Sequence, residues 1–327
     1  MNKLKIALTQ GNYNGTSYEL ILRACEDPAM LELCTPVVYG NATAALAYRK
    51  ALELSTNFLT IKKADEAPDG RLSLINITDA AVQVEMGSDT ADARQQEVES
   101  QQAALADTAR GMVDCAVLCP AVQPVACPGS AIEVIITEKA RIMPIPTEPT
   151  IDDIVSLADI LERDFDQRSP RIAIIQETRL QNTELAAQVT TEKGINTYGP
   201  YTAEQFLSEN LAEHFDGIIV VEDNGLTRKL VDELSQEAPV RFFAGQDIVV
   251  TGVYSPARMH DAGKGITEIS TLTRPIYTAI DIIRCRERYD EARRNPLPKL
   301  FKDKRDERRP SDNTRTFEKS DNTEKAS

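Results

Sequence analysis

Leu4 to Leu20 reads LKIALTQGNYNGTSYEL, and this stretch sets the fold class. The apolar run Ile6-Ala7-Leu8 leads into Gly11, Gly15 follows four residues later, and a helix-like segment comes next. Strand, tight loop and helix in that order make a βα unit. Such a loop can bring backbone donors and a helix N-terminus to an anion. It can equally be an ordinary βα turn, because the spacing is neither GxGxxG nor GxxxxGK.

The same grammar repeats downstream. Apolar runs at Lys5–Leu8, Val37–Tyr39, Leu72–Ile77, Cys115–Leu118, Ile172–Ile175 and Gly217–Val221 alternate with helical patterns. The clearest helices are expected over Ala91–Met112 and Ile151–Phe165. The second starts on Asp152-Asp153, which suits a helix N-terminus, and Ser169-Pro170 stops the pattern before RIAII. This alternation predicts an α/β fold with a mostly parallel sheet. PIPTEPT, 144–150, carries Pro144, Pro146 and Pro149 and reads as a connector between two lobes rather than a helix or central strand. From Arg286 onward the chain is densely charged. A folded unit over 1–294 and a disordered tail over 295–327 are expected, since the tail has little apolar surface to offset its ordering entropy.

With 327 residues and 42% apolar composition the chain can build a large core. Its net charge of −14 disfavours nucleic acid or an anionic membrane as partner, and the lack of Trp argues against base-stacking platforms. No apolar span reaches membrane length and the N-terminus lacks a secretory pattern, so a cytoplasmic location is expected. The six cysteines form no CxxC pair and read as reduced thiols.

Only His214 and His260 are present, which rules out a histidine-rich zinc site within one chain. His214 reads as a surface residue, and His260 beside DAGKG is a loop candidate. VVEDNGL, 220–226, ends an apolar strand with Glu222 and Asp223. Carboxylates there can hold Mg²⁺ or Mn²⁺, or form a solvated turn. Lys229 and Arg241 flank this region as candidate phosphate ligands.

These fragments, in this order, resemble the 4-hydroxythreonine-4-phosphate dehydrogenase family of pyridoxal phosphate biosynthesis. GNYNGTSYEL resembles GDPAGIGPE, keeping Gly11, Gly15 and Glu19; VDCAVLCPAVQ resembles a strand ending in TGPxxK, with Gln123 at the lysine's place. GPYTAEQF resembles GPxPADTxF, VVEDNGL resembles MYHDQGL, and VRFFAG through DAGKG resembles VNxTLG through DIAGKG. The matched register runs from about residue 4 to 284. The resemblance implies a two-lobed α/β subunit similar to the isocitrate and isopropylmalate dehydrogenases. It also implies a homodimer, contacting through about Asp92 to Glu138, and NAD-dependent oxidation of a phosphorylated small-molecule substrate.

The family holds a divalent metal with histidines. Here those places carry Glu148, a position near Leu180, and Glu222; the substrate-contacting DHGTA is Tyr254 to Arg258, YSPAR. If a metal is held by Glu148 and Glu222, Mg²⁺ or Mn²⁺ is expected over Zn²⁺. The resemblance supports the dehydrogenase activity; the alternative is a non-catalytic paralogue that keeps the scaffold for ligand binding or assembly.

Overall fold

The computed structural model describes residues 3–78, 80, 82–122, 129, 131–177, 183–222 and 224–294. The chain divides into two compact units, Met1–Tyr289 and Asp290–Ser327; the described part of the second is the end of the last helix. Gln123, Leu180, Asp223 and the charged tail from Asn295 lie outside the described residues.

The strands are β1 (Leu4–Thr9), β2 (Cys34–Gly40), β3 (Leu59–Ile61), β4 (Ser73–Asn76), β5 (Cys115–Leu118), β6 (Ile132–Ile136), β7 (Arg141–Ile145), β8 (Arg171–Ile175), β9 (Asn196–Tyr201), β10 (Gly217–Val221), β11 (Val240–Ala244) and β12 (Val249–Val253). The helices are α1 (Ser17–Ala24), α2 (Pro28–Leu33), α3 (Ala42–Ala51), α4 (Ala91–Ala109), α5 (Ile151–Phe165), α6 (Thr183–Lys193), α7 (Ala203–Ser208), α8 (Leu226–Leu234) and α9 (Ser270–Arg294). All six apolar runs read from the sequence contribute to strands, and α5 has the expected bounds. Its start is set by a capping box between Thr150 and Asp153. Its buried residues Ile154, Leu157, Ala158 and Leu161 follow the helical period.

The strands form one twelve-stranded sheet in the order β3-β4-β2-β1-β5-β12-β11-β6-β7-β10-β8-β9. The pairing from β3 to β12 is parallel, as is the pairing from β7 to β9. Between them β12-β11, β11-β6 and β6-β7 are antiparallel. Three reversals leave the two parallel halves running in opposite directions, so the carboxyl ends of β1 and β10 lie at opposite edges of the sheet. The strands at the centre of both halves are buried, which explains their near-continuous apolar sequences.

Pro144 departs from the expected connector: it lies inside β7, paired with Val220 of β10. The β6–β7 register stops at Ile135 opposite Ile142, before Pro144, so its missing N–H falls beyond that ladder. AIEVIITE supplies β6, which is paired on both edges. The described cysteines Cys25, Cys34, Cys115, Cys119 and Cys285 are free thiols; Cys127 lies outside the described residues. Among the described residues no helix is long and apolar enough to cross a membrane.

Candidate functional site: two adjoining pockets beside the antiparallel strands

The glycine loop after β1 is a packed turn. Gly11 has φ +57°, and a Cβ there would lie 2.2 Å from the Pro120 carbonyl oxygen. The Asn12 N–H donates to Pro120 O (3.3 Å), the Asn14 N–H to Asn12 Oδ1 (3.0 Å) and the Gly15 N–H to Asn12 O (2.9 Å). These donors are engaged by protein, which favours the ordinary turn over the anion cradle. The second glycine-rich loop is likewise engaged. Glu19, fully buried, accepts from the N–H groups of Gly265 (3.3 Å) and Thr267 (3.1 Å).

Glu222 follows β10 and caps α8. Gly225 at the N-cap has no side chain, and the Glu222 carboxylate takes that role. Its Oε1 accepts from the Gly225 N–H (2.9 Å), and its Oε2 accepts from the Thr227 N–H (3.1 Å) and the Thr227 hydroxyl. Glu148 is exposed on the segment before α5. Among the described residues no group of three or more His, Cys, Asp or Glu side chains is arranged to hold a metal ion. Both Glu222 oxygens are engaged by α8, so among the described residues this turn presents no assembled divalent-cation site. Replacing Glu222 with alanine is therefore expected to cost about 1 kcal/mol through the lost cap. Unchanged or increased stability in denaturant unfolding would remove the capping role.

A groove of about 500 Å³ crosses the sheet face beside Glu222. Its residues come from β6 (Glu133, Ile135), β11 (Arg241), α8 (Thr227, Arg228, Asp232) and the loop after β12, which starts at Tyr254. Arg241 is fastened within it. Its Nε lies 2.5 Å from Glu133 Oε1, and its guanidinium sits over the Phe243 ring at 5.0 Å. The expected site residue Arg241 thus lines the groove. Lys229 is exposed on α8 and lies outside the lining; its neighbour Arg228 lines it instead, 3.8 Å from Asp232. Burial raises the Tyr254 phenol above its ordinary pKa; Asp232 and Glu133 add to the rise, while Arg228 and Arg241 oppose it.

A second pocket, about 220 Å³, is lined by Thr16, Pro120, Arg258, Thr267 and Thr271 and shares Pro239, Ser255 and Pro256 with the groove. The Thr267 hydroxyl is buried without a hydrogen-bond partner. Glu222 borders the groove, while Thr16, just after the glycine loop, borders the second pocket. His214 is exposed, and His260 is exposed with Nε2 2.9 Å from Asp261 Oδ1; neither lines either pocket. Sequence reading did not assign Glu133, Thr227, Arg228 or Asp232. The one available signal was Glu133, a lone charge inside the apolar run of β6.

No family model matches the chain. A curated 4-hydroxythreonine-4-phosphate dehydrogenase of Bacteroides thetaiotaomicron is 31% identical over 351 aligned positions, covering 94% of this chain and 96% of that protein. Among solved structures, the 4-hydroxythreonine-4-phosphate dehydrogenase of Klebsiella pneumoniae superposes with a TM-score of 0.68 at 19% identity, covering 86% of this chain and 98% of the other. The enzyme of the same name from Burkholderia phymatum gives 0.64 at 17% identity, covering 86% and 99%. These two likenesses support the fold. The full-length sequence match goes further, and on it the chain belongs to the 4-hydroxythreonine-4-phosphate dehydrogenase family.

Proposed function

We propose that this protein oxidises 4-hydroxythreonine 4-phosphate, or a closely related phosphorylated hydroxy acid, with a nicotinamide dinucleotide as hydride acceptor. The observation that carries this reading is the 31% identity, spread over 94% of the chain, to a curated enzyme of that name. Two pockets that share a short wall suit a reaction between two bound molecules.

In this reading the substrate lies in the groove. Arg241, held in place by Glu133 and Phe243, is a pre-oriented cation for a phosphate or carboxylate. Arg228 offers a second positive charge from α8 and takes the place assigned to Lys229 on the sequence. One end of the dinucleotide is assigned to the second pocket, which the unpartnered Thr267 hydroxyl, Thr16, Thr271 and Arg258 line. When bound, it accepts the hydride from the substrate's alcohol carbon.

The test is NADH formation by the full-length protein from 4-hydroxythreonine 4-phosphate and NAD, with NADP in parallel. Steady formation is expected, and Arg241→Ala should lower kcat/KM by about 30-fold or more through loss of a charge-assisted contact. Binding of the substrate without turnover by either cofactor would move the chain to the non-catalytic reading.

A further inference from the structure

Tyr254 is the first residue after β12 and lines the groove. Its ring packs against the apolar cluster whose members include Ile135 of β6 and Leu230 of α8. The charges that act on its phenol are Asp232 and Arg228 from α8, Glu133 from β6 and Arg241 from β11, and all four line the groove. Among the described residues no hydrogen bond uses its hydroxyl.

The charged donors of the groove and the Thr227 hydroxyl have protein acceptors. Arg241 pairs with Glu133, Arg228 faces Asp232, and the Thr227 hydroxyl donates to Glu222. A ligand that draws on those groups must share them with a carboxylate. The phenol carries no such competitor. It is half-buried, so a hydrogen bond made there is formed in a medium of reduced dielectric.

We propose that the Tyr254 hydroxyl donates a hydrogen bond to the substrate's alcohol oxygen as that oxygen gives its proton to solvent water, and so steadies the alkoxide from whose carbon the hydride leaves for the nicotinamide. The proposal rests on the dehydrogenase reading above. It adds to it a donor supplied by the protein at the reacting oxygen. The direction of the phenol's pKa shift agrees with this assignment: burial keeps the proton on oxygen through the neutral range, as a donor requires and a base would not. An oxygen that gains charge during reaction draws more from a fixed donor than a neutral alcohol does, so the contribution falls on turnover rather than on substrate affinity.

The test compares the wild-type protein with Tyr254→Phe, which removes one oxygen and keeps the packed ring. A melting temperature within about 2 °C of wild type is expected for the variant. In the NADH assay kcat should fall by about 30-fold or more while KM stays within about threefold. A kcat within threefold of wild type, or a loss carried wholly by KM, overturns the proposal. A second measurement does not depend on turnover. 2-Phosphoglycolate, which carries an anionic oxygen on the carbon next to its phosphate-bearing carbon, is titrated calorimetrically into both proteins. Binding about fivefold to tenfold weaker in Tyr254→Phe supports the donor even where the wild type forms no NADH, and in that case only the dehydrogenase reading fails. Equal affinities, or no binding by the wild type, overturn the donor whatever the assay shows.

Discussion

Replacing Glu19 with alanine is expected to destabilise the protein by about 3 kcal/mol and lower its melting temperature by about 5 °C. The carboxylate is fully buried in the first turn of α1 and serves three partners. It accepts from the N–H groups of Gly265 and Thr267, and its Oε1 lies 3.3 Å from Arg23 Nη1. Arg23 in turn donates to the Thr267 carbonyl at 2.6 Å. Alanine leaves the two loop donors without their acceptor and the arginine without its counter-charge, which is the costly way to break such a knot. Glu19→Gln keeps one amide oxygen as acceptor and should lose roughly half as much. Thr267 lines the second pocket, so under the proposed function the same change should weaken cofactor binding. Thermal melts of the three proteins decide the matter: a Glu19→Ala melt that overlays wild type would show that α1 does not hold this loop.

An effect of similar or larger size is expected at Arg286. Its Nε lies 2.7 Å from Asp164 Oδ1, Nη2 lies 3.4 Å from Oδ2, and Nη1 donates to the Asp247 carbonyl at 2.8 Å. The arginine side chain is 9% exposed and the aspartate 1%. This fork fastens α9 to the end of α5 and to the loop between β11 and β12. Arg286→Met strands a buried carboxylate and should cost about 3–5 kcal/mol. The double variant Arg286→Met, Asp164→Leu removes both charges, and it should recover a large part of that loss because no ion is left in the interior. Denaturant titrations of the single and double variants check this. A double variant less stable than the single would mean that the pair contributes net attraction beyond the desolvation of its members.

Much of the fold was legible because burial leaves a periodic trace. Strands covered on both faces read as unbroken apolar runs, as in CAVL of β5 and GIIVV of β10. Helix α5 was legible to the residue because its N-terminal acidic pair and its apolar stripe agree. The strands that build the groove floor were harder to see. β6 and β7 are short, and their antiparallel pairing depends on a hairpin whose partners β11 and β10 come some 75 to 110 residues later. Pro144 was misleading for a related reason: whether a strand tolerates proline depends on where its neighbour's ladder stops, which is a property of the pair.

The sequence by itself determined the α/β class, the order of the βα units and the family to which the chain belongs. Each of these follows from local pattern or from the order of fragments along the chain. Tertiary structure alone decided what the candidate side chains do. Glu222 looked like a metal ligand at the end of a strand, and packing made it the cap of the helix that follows. The glycine loop looked open to an anion, but Pro120, over a hundred residues away, accepts from its donors. Lys229 and Arg228 are equivalent as neighbouring exposed cations on a helix. The burial of Leu226, Leu230, Val231 and Leu234 turns α8 so that Arg228 meets the groove. Side-chain role is set by which distant backbone and which helix face come within hydrogen-bonding range, and no local pattern encodes that distance.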